Sequence, residues 1–568
     1  MSELLTTVAL LFIIAGPFLL LADRFDLPTV PMLIVAGLVA GWFVDEELTL
    51  ELAQYGIALL VFAFGIGIDL SEMRTVLTDS EVAAVGQILV LGTLGVALGV
   101  ALGVPIEEAA FLGIAAAFSS TIVGTALLRT EIRRDLVRGR LAESIHLVQD
   151  LVAILVLLAL GADTLAADPI AQQLGYGVAL LIAAVLVNRH FFDVVGRLAG
   201  GSDELMIVGV ISMLVVFVGA AEAVGVSIVV GAFAAGLAVR YDPVEYLGLF
   251  NGIQSLRDFF AAIFFVTIGA LVTLPFVGEV VPFVEGIGIA ESVEKLLLAG
   301  VLVGLTAVVK PAVTTAILLR KGYEARTATK TSLGIDQVSE FALIIAIEAF
   351  ILTLLTQTVF DAIILAAAVT MITSSLSQRH DERIYRALSD RGLFAGASHD
   401  KIDEASDVPQ DLADHVVIIG LGRQGRRLVR ACESMDRPYV VVENDPIRRD
   451  DVASTCDGYV FGDAMEPYAL SKANVGDATV VVSTVDAELV SRHLLSVETD
   501  ADVILRADDE ETALDLLEAG ARYVSVPDLL AGEQLVEHIE ALLGGRTTPA
   551  GLRAERVAAL DEEPIVDD

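Results

Sequence analysis

The chain has 568 residues, 55% of them hydrophobic, with 75 acidic against 36 basic residues and a formal net charge of −39. It is too long for one domain, and a mean hydropathy of +0.72 is too apolar for an ordinary soluble protein. So negative a charge excludes a nucleic-acid binder, which needs a basic face for phosphates. Strong salt screens self-repulsion, so a halophilic cytoplasm is expected; the alternative is an acidic soluble part without ecological meaning. Cys432 and Cys456 form no CxxC or Cys/His cluster, so neither a metal site nor a disulfide framework is expected beyond any transported cation.

Apolar stretches fill Leu4 to Leu376, and charge dominates from His380 onward. The opening MSELLTTVALLFIIAG lacks a basic flank and a small-residue cleavage site, so it reads as a retained span. Stretches of about 17 to 25 residues predict about thirteen transmembrane helices. They lie near Leu4–Leu21, Pro28–Val44, Glu51–Ile68, Val82–Gly103, Ala109–Leu128, Leu141–Gly161, Gln172–Arg189, Leu205–Ala221, Val224–Arg240, Phe259–Val277, Leu296–Leu319, Ser332–Ile351 and Thr353–Leu376.

Basic residues collect at odd-numbered exits. They are Arg129, Arg133, Arg134, Arg138 and Arg140, then Arg189 and Arg197, Arg240 and Arg257, and finally Arg320, Lys321, Arg326 and Lys330. The loops GADTLAADPIAQQ and LPFVGEVVPFVEGIGIAES are acidic instead. Because arginine and lysine stay in the cytoplasm, this predicts a multi-pass protein of the cell membrane with its N-terminus outside and its C-terminal part cytoplasmic.

An odd helix count suggests two oppositely inserted sets of about six flanking a linker helix. The fifth stretch holds Ser119, Ser120 and Thr121, and the twelfth, the matching member of the second set, holds Asp336, Gln337, Ser339 and Glu340. Such groups can satisfy the backbone of interrupted helices and line an ion site; alternatively the hydroxyls only join neighbouring helices. Asp150 lies well inside the sixth stretch and Lys310 near the middle of the eleventh. A carboxylate at the bilayer centre costs about 2.5–3.5 kcal/mol, so such residues are normally functional. Asp150 can hold a dehydrated cation or a proton but not both, which is the chemistry of exchange. Lys310 is expected either to neutralise Asp150 or to pair with Glu340 or Asp336. Gln149 is placed to add a carbonyl ligand or to face a neighbouring helix, and His146 to pass protons or to sit in the core.

The runs LVQD, SSTIV and QVSEFAL, with Lys310 ahead of a basic loop, resemble the monovalent cation:proton antiporter-2 superfamily over nearly the whole membrane half. The resemblance implies that the aspartate at 150 carries cation and proton, that Lys310 supports it, and that two broken helices cross beside it. It also implies a homodimer working by an elevator-like shift of a core bundle. Gln149–Asp150, where sodium-exchanging members often have two aspartates, is the pattern of Kef-type potassium efflux antiporters, which favours K+ over Na+ in exchange for H+.

Residues 379–413 read as a linker. In DHVVIIGLGRQGRRLVRACESMDRPYVVVENDP a strand, Val416–Ile419, runs into the turn Gly420, Leu421, Gly422, Arg423, Gln424 and Gly425. A helix follows, and a second strand, Tyr439–Val442, ends at Glu443. These glycines allow a tight turn, a close phosphate and close helix packing, while Glu443, about 20 residues on, suits a ribose hydroxyl pair and disfavours a 2′-phosphate. NAD(H) or AMP/ATP is therefore expected as ligand. Further βα units are predicted at Gly458–Phe461, Ala478–Thr484 and Asp502–Arg506. The segment His415–Leu543 resembles the TrkA-N domain of regulators of potassium conductance, which implies that Asp463 and Ala464 approach the adenine and Arg506 the phosphates or a dimer contact. Asp463 as a helix cap and Arg506 in an ordinary ion pair are the alternatives.

The expected organisation is a polytopic α-helical membrane domain over 1–378, the linker, a Rossmann-like α/β domain over 414–545 and a disordered acidic tail over 546–568. A nucleotide-regulated antiporter is the leading reading. A cation channel lacks a TVGYG-like filter, and a membrane-anchored NAD-dependent oxidoreductase lacks chain for a substrate domain. No enzymatic activity is expected.

Overall fold

The computed structural model describes residues 2–25, 27–67, 73–133, 136–160, 167–199, 202–240, 247–276, 289–394, 402–403, 405–409 and 412–561. Arg134 and the middles of the two acidic loops, residues 161–166 and 277–288, lie outside them. The chain separates into two compact units, Met1–Leu393 and Phe394–Asp568.

The first unit is helical. Among the described residues ten helices are long and apolar enough to cross a membrane: Thr6–Arg24, Glu46–Ile66, Glu81–Ala101, Ile106–Leu127, Val137–Leu160, Ala171–His190, Asp203–Ala223, Gly248–Ala270, Ile289–Lys321 and Gln357–Arg379. Of these, Ile106–Leu127 is interrupted at Phe118–Ser120, and the other three predicted stretches are not single long helices either. Pro28–Val44 forms only Thr29–Ala40, since Pro28 stands at its N-cap and the chain turns at Gly41. Val224–Arg240 forms only Ile228–Leu237, because Ser227 Oγ accepts from Val229 N at 3.3 Å and starts the helix late. The twelfth stretch is split into Ala325–Gly334 and Glu340–Ile351.

Close backbone packing groups these helices into two bundles. In one, Thr29–Ala40, Glu46–Ile66, Ile228–Leu237 and Leu247–Ala270 meet through glycines; a Cβ on Gly37 would stand 2.8 Å from Gly269 Cα, so only glycine fits. In the other, Met73–Ala101 meets Ile106–Ala117 where a Cβ on Gly95 would stand 2.7 Å from Gly113 Cα. Val137–Leu160, Lys310–Lys321 and the split twelfth stretch complete that second bundle. Exposed Leu20, Val215 and Val216 lie on the outer surface, where lipid is the solvent that suits them.

The expected linker begins as structure. Asp381–Asp390 is a helix of the first unit with Tyr385 buried, since its acidic first turn finds basic partners. Burial alone would raise Glu382, but Arg326 and Lys330 beside it hold its carboxyl down at about 2.

The second unit is a parallel sheet of six strands in the order β3-β2-β1-β4-β5-β6. The strands are β1 (His415–Ile419), β2 (Tyr439–Glu443), β3 (Tyr459–Phe461), β4 (Ala478–Ser483), β5 (Asp502–Arg506) and β6 (Tyr523–Ser525). Val417 pairs with Val440 on one side and Val481 on the other. Alternation puts Val417, Ile419, Val440 and Val442 in the core of one face and Ile418 and Val441 in that of the other, so the unbroken valine and isoleucine runs are those of a doubly covered sheet. Cys432 and Cys456 sit in the second core; burial and the neighbouring Asp451 push the Cys456 thiol up to about 12. β6 was not assigned from sequence. The tail expected to be disordered instead carries a helix, Pro549–Asp561, because Thr548 Oγ1 caps Gly551 N at 3.1 Å, proline leads, and alanine, arginine, glutamate and leucine follow. Residues 562–568 lie outside the described residues.

Candidate functional site

Two interrupted helices cross in the second bundle. The first breaks at Phe118–Ser120, between Ile106–Ala117 and Thr121–Leu127; the second breaks at Ile335–Ser339. Each break strips backbone groups of helical partners, and no water in lipid can replace them. Ser120 Oγ accepts from Val123 N at 3.1 Å and Ser339 Oγ from Phe341 N at 3.0 Å, so the serines start the second half-helices. Each break also completes the other. Ser119 Oγ donates to Ile335 O at 2.9 Å, Gln337 Nε2 to Ser120 O at 3.1 Å, and Ile122 N to Glu340 Oε1 at 2.9 Å.

Lys310 is fully buried, and its ammonium donates to Phe118 O at 2.8 Å and Gln337 O at 2.9 Å, one carbonyl from each break. It thus closes the crossing through backbone carbonyls rather than through an ion pair with Asp150, Glu340 or Asp336. A π-helical turn, Leu305–Val309, precedes it and Pro311 follows. Such turns shift a helix face locally and frequently mark functional sites.

Asp150 and Gln149 approach the crossing from Val137–Leu160. Asp150 Oδ2 accepts from Thr121 Oγ1 at 2.7 Å, and Gln149 Oε1 accepts from Ser119 N at 2.8 Å. Asp150 Oδ1, Gln149 Nε2, Glu340 Oε2 and both ring nitrogens of His146 are buried without a hydrogen-bond partner among the described residues. Buried polar atoms left in this way call for water or an ion. His146 packs on Gly124, where a Cβ would stand 2.4 Å from the ring carbon Cε1. Asp336 lies at the start of the second break and accepts instead from Ser377 Oγ at 2.9 Å.

Ser119, Ser120, Thr121, Gln149, Asp150, Lys310 and Glu340 therefore meet at one place, with Asp336 beside it. Sequence reading missed Gln87, which is fully buried. Its Nε2 donates to Ala117 O at 2.9 Å and its Oε1 accepts from Thr314 Oγ1 at 2.8 Å. It also missed Ser374 and Thr370, which hold Gln337 Oε1 and Val338 N. The signal available was a lone glutamine inside the apolar run GQILVLG.

In the second unit the fingerprint turn lies at the carboxyl ends of β1 and β2, next to the β1/β4 switch point of the sheet. Gly420 has φ +88°, a conformation that favours glycine, and a Cβ on Gly425 would stand 2.1 Å from Gly420 O. Arg423 and Gln424 are exposed on the first turn of the following helix. Glu443 is engaged by backbone. Its Oε2 accepts from Leu421 N at 2.7 Å, and its Oε1 from Asn444 N at 2.9 Å and Asp445 N at 3.0 Å. It braces the glycine turn. Asp463 Oδ1 accepts from Met465 N at 2.9 Å, with buried Ala464 between them, and Arg506 at the end of β5 has a buried Nε without a partner among the described residues.

Residues 7–379 match the family described as sodium/hydrogen exchanger, transmembrane, and residues 416–527 match the TrkA-N domain. The putative cation/proton antiporter YbaL of Escherichia coli is 27% identical, covering 97% of this chain and 98% of that one. The putative K+ efflux antiporter KefB of Alkalimonas amylolytica is 26% identical over 95% of this chain and 82% of that one. Among solved structures, the sodium proton antiporter MjNhaP1 of Methanocaldococcus jannaschii aligns with 67% of this chain and 98% of its own, at 16% identity and a TM-score of 0.47. The chain belongs to the sodium/hydrogen exchanger family of membrane transporters and carries a C-terminal TrkA-N domain.

Proposed function

We propose that this cation/proton antiporter exchanges K+, or Na+ in its place, for H+ at Asp150, under control of an adenine nucleotide bound to the TrkA-N domain. The observation that carries the reading is the Asp150 carboxylate, buried at the crossing with Oδ1 unpartnered and Oδ2 held by Thr121. The carboxylate binds a cation with Thr121 and the orphaned Glu340 oxygen nearby, or it binds a proton; loading one displaces the other. Gln149 and Lys310 keep the crossing rigid, through Ser119 N and through the carbonyls of Phe118 and Gln337. Potassium is favoured by the Kef-like Gln149–Asp150 pair and by relatives described as potassium efflux antiporters.

The TrkA-N unit offers the glycine turn to a pyrophosphate or phosphate, Glu443 to ribose hydroxyls, Asp463 and Ala464 to adenine and Arg506 to an anion, with NAD(H) or AMP/ATP as ligand. The ligand acts as a signal, biasing one arrangement of a homodimer by its differential affinity. The N-terminus is proposed outside the cell membrane and the second unit in the cytoplasm. In support, Arg138 and Lys330, from two separate basic loops, meet Asp381 at one end of the first unit. Dissipation of a pH gradient in proteoliposomes, measured with K+, Na+ and Li+ in turn, tests the assignment. Faster dissipation with K+ than with Na+ or Li+ is expected, and a rate that no cation alters overturns it.

A further inference from the structure

The ion site leaves unused a second buried charge cluster, made by Lys295, Asp361, Thr273 and Gln357. Lys295 and Asp361 form an ion pair with both side chains fully buried. Lys295 Nζ also donates to Thr273 O at 2.8 Å and Thr273 Oγ1 at 2.7 Å. Thr273 Oγ1 donates to Asp361 Oδ2 at 2.6 Å. Gln357 Nε2 donates to Asp361 Oδ1 at 2.7 Å and to Leu271 O at 3.0 Å.

The cluster's position gives it meaning. Thr273 and Leu271 directly follow Leu247–Ala270, a helix of the glycine-packed first bundle. Lys295 lies near the start of the helix that continues through the π-helical turn to Lys310, so it is covalently part of the ion-site bundle. Asp361 lies in the first turns of Gln357–Arg379, which packs on Ile289–Gly304 and on both halves of the split twelfth stretch. All these positions are at the helix ends remote from Arg320, Lys321 and Arg379, hence away from the basic loops. A second polar link at these ends joins the bundles: Ser227 Oγ, at the N-cap of Ile228–Leu237, donates to Glu348 Oε1 at 3.0 Å. Within each bundle helices meet backbone against backbone, whereas these links between bundles are side-chain bonds that can open without unfolding either body.

We propose that Lys295, Asp361, Thr273 and Gln357 form a clasp that seals the outer end of the transport path when closed and opens in every exchange cycle. A buried cluster with every bond satisfied suits a closed state that excludes water, and release of Thr273 and Leu271 from Lys295, Asp361 and Gln357 lets the ion-site bundle shift against its neighbour. The inference rests on the antiporter reading, which unmodified protein in the same liposomes checks separately.

The test places Thr273→Cys and Asp361→Cys together, with Lys295→Met so that no ammonium is left unpaired and Cys432→Ala and Cys456→Ala to remove other thiols. In proteoliposomes under a pH gradient with K+ and Na+ present, copper phenanthroline should cross-link the pair and reduce exchange to the level of empty liposomes. Dithiothreitol should restore it. A cross-linked protein that exchanges as fast as its reduced form, while unmodified protein exchanges normally, overturns the clasp and leaves the antiporter reading intact. If the variant does not fold, hydrogen–deuterium exchange on the unmodified protein decides: the Thr273 amide, which donates to Asp361, should take up deuterium faster during turnover than in Asp150→Asn, and equal uptake overturns the proposal.

Discussion

The two buried polar clusters of the membrane unit are built on opposite plans. At Lys295–Asp361 each charged group meets an opposite charge and further donors or acceptors; at the crossing, Asp150 and Glu340 each keep an oxygen without a partner among the described residues. A satisfied buried charge pair fixes an arrangement, whereas an unsatisfied carboxylate holds a place for a partner that comes and goes. The difference separates stability from function: disturbing the first should cost folding or gating, and disturbing the second should cost exchange.

The largest stability effect is expected from Asp361→Ala, which strands the Lys295 ammonium and should cost about 3–5 kcal/mol, read as a fall in detergent-solubilised melting temperature. An unchanged melting temperature would put the two clusters in one class. Lys310→Ala comes next, because it uncovers Phe118 O and Gln337 O together, at about 1–3 kcal/mol for each carbonyl left without a partner. Lys310→Arg should melt closer to the parent, since a cation still reaches the carbonyls. Gly124→Ala should cost about 1–3 kcal/mol by pushing on His146; a silent change there would mean that the ring has room to move.

The smallest effect concerns the helix after the last span. The Glu382 carboxyl is depressed from 4.5 to about 2, so its contribution is present above pH 4.5 and is lost as pH falls toward about 2. Glu382→Gln should be less stable than the parent at neutral pH and should converge with it in acid. A constant gap between the two melting curves across that range would show that the pairing with Arg326 and Lys330 contributes nothing.

Much of this was legible in the sequence because lipid makes polar residues expensive. Ser119, Thr121, Asp150, Lys310 and Glu340 stand out against apolar runs, and the structure gathers them at one crossing. The glycine turn from Gly420 to Gly425 was legible for a different reason: close backbone approach admits no side chain. What escaped depends on distances between remote segments. Lys310 reads as a charge in search of a charge, yet it donates to two carbonyls that exist as free acceptors only because two helices break. Lys295 stands just before its predicted stretch and Asp361 well inside its own, and only folding brings the two together against Thr273. Glu443 reads as a ribose acceptor, and its hold on Leu421 N emerges only once β1 and β2 lie side by side. Glu443→Ala would therefore loosen the turn itself, and Glu443→Gln in the full-length protein, assayed by calorimetry with AMP, ATP and NAD(H), is the cleaner probe of ribose recognition.

The central claim is that one carboxylate carries cation and proton in turn. The measurement that tests it most directly compares parent and Asp150→Asn in proteoliposomes, following a pH gradient after addition of K+ or Na+, with melting temperature recorded on the same preparations. The account predicts that Asp150→Asn melts at or above the parent, since it removes a buried charge with a stranded oxygen, while cation-dependent proton movement disappears. Exchange at the parent's rate in Asp150→Asn, with either cation, would contradict it.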